Sequence, residues 1–167
     1  LEALNERWGT GFWSQWYTAW DQIDLPFPAA AEHNPALILD YKRFISHSVI
    51  QFQHDQVEII RRNRPRDFIT HNGIFPNIDY YEFCKDLDIL AYDNYPAGRI
   101  SPQYSAGVRF TLVRGFMDHF MIMEQQAGPG GQTWLAESPR PGQMSLWAFQ
   151  AIAHGAEGMV HFRWRTA

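Results

Sequence analysis

HFMIMEQQAGPGGQTW, residues 119–134, is the stretch on which the fold turns. Its first half is a short apolar run, Phe120 to Met123, closed by one carboxylate, Glu124. Its second half is polar and rich in glycine, and it ends on Trp134. A short run with no polar side predicts a strand covered on both faces, the habit of parallel sheets. A carboxylate at the end of such a strand loses solvation, and hydrogen bonds or a nearby cation must offset that loss.

Three more runs of the same kind flank this one. DFITHNG predicts a short buried strand broken at Asn72-Gly73, and LDILAYDNYP a strand ended by Asp93, Asn94 and Pro96. GMVHFRW predicts a fourth. Helical stretches separate them. Asn34 suits an N-cap and Pro35 a first helical position. Apolar residues Tyr41, Phe44, Ile45, Phe52, Ile59 and Ile60 then recur at helical spacing up to Pro65. DYYEFCKD predicts a short helix. Residues 103–117 predict another, weakened by Gly107, and QMSLWAFQAIAHG a last one with Gly155 at its C-terminal cap. The aromatic-rich residues 1–32 read as short helix or loop, closing on Pro26 and Pro28. Helix and strand therefore alternate four times, which indicates an α/β fold with a parallel sheet.

Composition narrows the function. At 167 residues the chain is long enough for one domain with a substantial core. The net charge of −4 gives no reason to expect nucleic acid or an anionic membrane as partner. Cys84 is the only cysteine, which excludes an internal disulfide and a cysteine-based zinc site within the chain. Aromatic residues make up 16%, including seven tryptophans, more than a core of this size requires; such rings also line sites for flat apolar faces. The start, LEALNERWG, has neither Met nor a signal-like segment, so the missing targeting signal is uninformative.

In parallel α/β folds ligands bind beyond the carboxyl ends of the strands. Those ends deliver His71 and Asn72; Asp93, Asn94 and Tyr95; Glu124 and Gln125; and Phe162, Arg163 and Trp164. Any one of these could be a strand cap. Together they point to a shared site. Glu124 is either a structural ion-pair partner of an arginine or a nucleophile or base. Arg163, on the next strand, is placed to keep it ionised, and a carboxylate nucleophile must be charged to attack. GPGGQTW lacks the Lys-Ser/Thr and following helix of a phosphate-binding loop. It is better read as a loop laying Trp134 over a ligand, with simple loop packing as the alternative. The seven histidines show no metal-binding spacing. Asn5-Glu6 follows no apolar strand and reads as helix or loop surface.

LNERWGTGFWSQWY, DNYP, IMEQQAG followed by Trp134, and HGAEGMVHFRWR together resemble the family 42 glycoside hydrolases, chiefly bacterial β-galactosidases. The blocks span residues 4 to 165, and their joint order is specific. The resemblance implies a partial (β/α)8 TIM barrel, with the four strands as strands five to eight, and the whole chain 1–167 as a fragment of the catalytic domain. It makes Glu124 the nucleophile of a retaining hydrolysis of terminal β-D-galactosides, and Trp13, Tyr95, Trp134 and Phe162 sugar contacts, with Asn72, Asn94 and Arg163 as second choices. It places the acid/base glutamate, and the cysteines that hold a structural zinc in many members, upstream of residue 1, so no cofactor is expected in this chain. Tyr92 stands where the family often has Trp, a departure touching packing rather than chemistry. The resemblance further implies a galactoside or oligosaccharide substrate, no nucleic-acid or membrane partner, a homotrimer for the full-length protein and a cytoplasmic location in a bacterium. A non-catalytic carbohydrate-binding half barrel, and a glycosidase of the same clan with another sugar preference, are the competing readings.

Overall fold

The computed structural model describes residues 1–96, 102–129 and 138–163. Along the chain run α1 (Glu2–Trp8), α2 (Pro35–Asn63), β1 (Thr70–Asn72), α3 (Tyr80–Phe83), β2 (Ile89–Asn94), α4 (Pro102–Phe116), β3 (Phe120–Gln126), α5 (Gln143–Ala153) and β4 (Ala156–Phe162). The four strands form one parallel sheet in the order β1-β2-β3-β4. This is the α/β alternation that the sequence predicts. Among the described residues, no helix is long and apolar enough to cross a membrane.

The chain divides into two compact units, the first made of residues 1–53 and 77–79, the second of 54–76 and 80–167. In the first unit the amide nitrogen of Ala36 donates to Asn34 Oδ1 at 2.9 Å, so Asn34 caps α2 as its sequence position predicts. Asn34 also donates through Nδ2 to the carbonyl of Trp8 at 2.8 Å, which ties the cap to the end of α1. Asn5 is fully buried: its Nδ2 donates to the Tyr17 carbonyl, and its Oδ1 accepts from Thr10 Oγ1 and the Tyr17 amide. The Asn5-Glu6 pair thus sits on a helix, where Asn5 latches the following turn and Glu6 points to solvent.

In the second unit, helices cover one side of the sheet. Leu90 and Tyr92 of β2 and Phe120 and Ile122 of β3 alternate toward that side, as strand geometry requires, and all are buried. They meet α4: the Phe110 ring stacks on Phe120 at 6.3 Å and meets Tyr92 edge-on at 6.1 Å. Phe110, Val113, Trp147 and Ala151 complete this core with almost no exposed surface. Gly107 does not interrupt α4. A Cβ there would make only ordinary van der Waals contact, 3.6 Å from the Gln150 and His154 side chains, so no steric demand for glycine is visible at this position. Gly155, just past α5, takes φ +96°, the left-handed turn that lets the chain leave the helix and enter β4.

Candidate active site

The carboxyl ends of the strands bring several predicted residues together, and an irregularity in β3 decides how. Tyr92 pairs with Ile122, but the next pair is Asp93 with Glu124, so Met123 is one residue too many on β3. The β4 side shows the same excess, because Ile122 pairs with Met159 and Gln125 with His161. In an even strand Glu124 would point to the side of Ile122, toward the helices. A bulge re-aims the residues beyond it. Glu124 therefore turns to the side of its cross-strand partner Asp93, away from the helical core.

On that side the Tyr95 hydroxyl donates to Glu124 Oε2 at 2.5 Å. Burial raises the Tyr95 phenol well above its usual range, and the accepting Glu124 and the charges of Glu124 and Asp93 push it further the same way. Tyr95 therefore remains a donor throughout the neutral range. The Phe162 ring meets the Tyr95 ring edge-on at 6.3 Å, which brings the end of β4 to the same place. Arg163 is exposed, with its guanidinium carbon 6.0 Å from the centre of the Phe162 ring. Among the described residues no arginine forms an ion pair with Glu124; the ion pairs of this unit lie elsewhere.

The sequence places Asp93 among the strand-end residues of a shared site without assigning it a role. In the structure it is half-buried, and its Oδ1 meets no hydrogen-bond partner among the described residues. Burial raises its carboxyl above the ordinary carboxylate range; the Asn72 side chain lowers it in part, and the Glu124 charge raises it again. Asn72, at the end of β1, likewise has a buried Oδ1 without a partner among the described residues. Asn94 stands one position further along β2, on the opposite side from Asp93. It is 2% exposed, and its Nδ2 donates to Gln125 Oε1 at 2.9 Å. This buried amide pair joins β2 to β3 directly behind the carboxylates. Gln126 then bonds the Gly128 carbonyl at 2.7 Å, fixing the first step of the loop that follows β3.

Trp13 belongs to the first unit, where its ring meets Phe12 edge-on at 5.3 Å. Trp134 lies outside the described residues. Cys84 is buried, with its thiol pushed up to about 11, and no group of three or more His, Cys, Asp or Glu is placed to hold a metal among the described residues.

Comparison with known proteins places this arrangement. The family profile described as β-galactosidase, glycoside hydrolase family 42, matches residues 1–167. The β-galactosidase of Thermus thermophilus is 41% identical over 100% of this chain and 29% of its own length, and β-galactosidase Bga of Halorubrum lacusprofundi 40% over 99% and 26%. The crystal structure of a β-galactosidase from the psychrophilic Marinomonas ef1 superposes with a TM-score of 0.89 at 34% identity, over 99% of this chain and 28% of that one. The Halorubrum lacusprofundi enzyme superposes at 0.85 and 40% identity, over 98% and 27%. The chain thus spans little more than a quarter of the length of these relatives, and its four parallel strands are part of a (β/α)8 barrel. By sequence along its whole extent and by fold, the chain belongs to glycoside hydrolase family 42, the β-galactosidase family.

Proposed function

We propose that this chain supplies the nucleophile half of the active site of a retaining β-galactosidase, with Glu124 as the attacking group. The observation that carries this reading is the short hydrogen bond from Tyr95 to Glu124, made at a strand end where a bulge has turned the carboxylate away from the core. A donor on one oxygen fixes the carboxylate plane and leaves the other oxygen for the sugar.

Retaining hydrolysis uses two carboxyl groups about 5 to 5.5 Å apart. Glu124 attacks the anomeric carbon. A bond from its oxygen to that carbon forms as the glycosidic bond breaks, and the electron pair leaves with the aglycone oxygen, which takes a proton from the acid. Water, deprotonated by the same group, then releases galactose and restores the Glu124 carboxylate. We assign the acid/base glutamate to sequence upstream of residue 1, in line with the family resemblance and with the structural task of Asn5 on α1. Tyr95 and Phe162 offer ring surface to the sugar, Asn72 and Arg163 offer polar groups to its hydroxyls, and Trp13 and Trp134 are assigned as further ring contacts. Asn94, engaged with Gln125, acts on the site through the strands.

The test uses the full-length protein. Glu124→Gly should abolish hydrolysis of a nitrophenyl β-galactoside, by about 10⁴-fold or more given the loss of the group that bonds to the sugar. Azide should restore activity by entering the vacated space and yield a galactosyl azide of inverted configuration. A Glu124→Gly enzyme that keeps its activity, or that azide leaves unchanged, removes Glu124 from this role.

A further inference from the structure

A second carboxyl group stands beside the nucleophile without a task in the chemistry above. Asp93 and Glu124 are cross-strand partners, on the same side of the sheet, at the point where β3 bulges. Adjacent strands lie about 4.8 Å apart, so partners in register on one side are close neighbours, and the Glu124 charge acts unfavourably on the Asp93 carboxylate. The sheet could have avoided this contact. Had Met123 paired with Asp93 in even register, Glu124 would face the helices and Asp93 would have no acidic partner on its side. The bulge creates the juxtaposition.

We propose that Asp93 is a positioning residue for Glu124, acting through its negative charge and without touching the sugar. In the free enzyme two carboxylates share one side of two adjacent strands, half-buried, with the Tyr95 hydroxyl bonded to Glu124. Tyr95 satisfies Glu124, whereas Asp93 Oδ1 has no donor among the described residues. The repulsion is thus paired with an incomplete hydrogen-bond set on Asp93, and burial already holds that carboxyl above its ordinary range. When Glu124 bonds to the anomeric carbon it becomes a neutral ester, and the repulsion disappears. When the ester is hydrolysed the charge returns, and so does the repulsion. A like charge next to a carboxylate nucleophile therefore speeds formation of the covalent intermediate and slows its breakdown. The groups that act on Asp93 include Glu124 from β3, Tyr95 just past the end of β2 and the neutral Asn72 from β1.

This inference rests on Glu124 being the nucleophile, and the experiment separates the two. The full-length enzyme is labelled with a 2-deoxy-2-fluorogalactoside carrying a dinitrophenyl leaving group, and the labelled peptide is mapped. Label on a residue other than Glu124 overturns the assignment of the nucleophile and this inference with it. With label on Glu124, Asp93→Asn decides the inference alone. The rate of labelling should fall about tenfold, about 1.4 kcal/mol of barrier. The rate at which labelled enzyme recovers activity should stay the same or rise. Asp93→Glu, which keeps the charge, should restore most of the labelling rate. Equal slowing of both steps, or no change in either, or no rescue by Asp93→Glu, makes Asp93 a structural residue and overturns the proposal. If Asp93→Asn does not fold, Asp93→Ser, smaller and likewise neutral, takes its place and must split the two steps in the same direction.

Discussion

At the scale of single residues, the Tyr95 hydroxyl is the group on which the assignment of Glu124 leans, and it can be removed with little disturbance. Tyr95→Phe keeps the ring and its edge-on contact with Phe162 and deletes only the donor to Glu124. A hydrogen bond to a charged group contributes about 1.5–3 kcal/mol, so kcat/KM for a nitrophenyl galactoside should fall about 10- to 100-fold with the melting temperature nearly unchanged. Wild-type kinetics from Tyr95→Phe would mean that the contact orients nothing. The sequence made Glu124 and Tyr95 legible as strand ends, because apolar runs that stop at polar residues mark where a parallel strand meets solvent. It did not make their partnership with Asp93 legible. Whether Glu124 faces Asp93 or the helices depends on the one residue of slack at Met123, and that slack is set by backbone pairing with β2 and β4, not by any residue type in HFMIME.

At the scale of elements, helix boundaries were legible where local chemistry sets them, as at Asn34-Pro35, and less so where packing does. Gly107 lowers helix propensity, yet α4 runs through it, because burying Phe110 and Val113 of the same helix outweighs that cost. The second unit also carries a group of ion pairs joining the end of α2 to the turn before β2, and these make its stability depend on pH in two directions. His54 Nδ1 lies 2.9 Å from Asp86 Oδ2, and that bond raises the imidazole above its ordinary value of 6.5. A raised histidine stabilises the fold fully below the unfolded value, and the contribution is lost as pH rises through the folded one. Asp88 behaves oppositely. Arg61 donates to it at 2.6 Å and the Ile69 amide at 2.7 Å, and these bonds hold its carboxyl below the ordinary 3.8. Its contribution is present above that value and is lost as pH falls through the lowered one. Melting temperature plotted against pH should therefore decline on both sides of a mildly acidic plateau. Asp86→Asn should reduce the alkaline decline, the remainder coming from His119, which Glu157 raises in the same way, and should leave the acid side in place. An alkaline decline unchanged by Asp86→Asn would assign it to other groups.

At the scale of the molecule, the sheet has two edges. Among the described residues β1 pairs only with β2, and β4 only with β3, so each presents a row of backbone donors and acceptors to whatever lies beside it. The two edges differ. β1 has three residues, Thr70–Asn72, and offers little to pair with. β4 has seven, Ala156–Phe162, with Val160 47% exposed and no proline, which is the kind of edge that recruits a further strand. Exposed apolar residues on α5, Leu146, Phe149 and Ile152, add a second adhesive surface, spaced at three residues so that they line one helix face. The 167-residue chain prepared by itself should associate through β4, and size-exclusion chromatography should show dimers or larger species at micromolar concentration. Val160→Lys, which puts a charge on that edge, should shift the population toward monomer, whereas the same change at Thr70 on the short β1 edge should shift it much less. A monodisperse monomer with a single cooperative melt would show that neither edge is adhesive. Equal responses to the two lysines would place the association on the helix face instead.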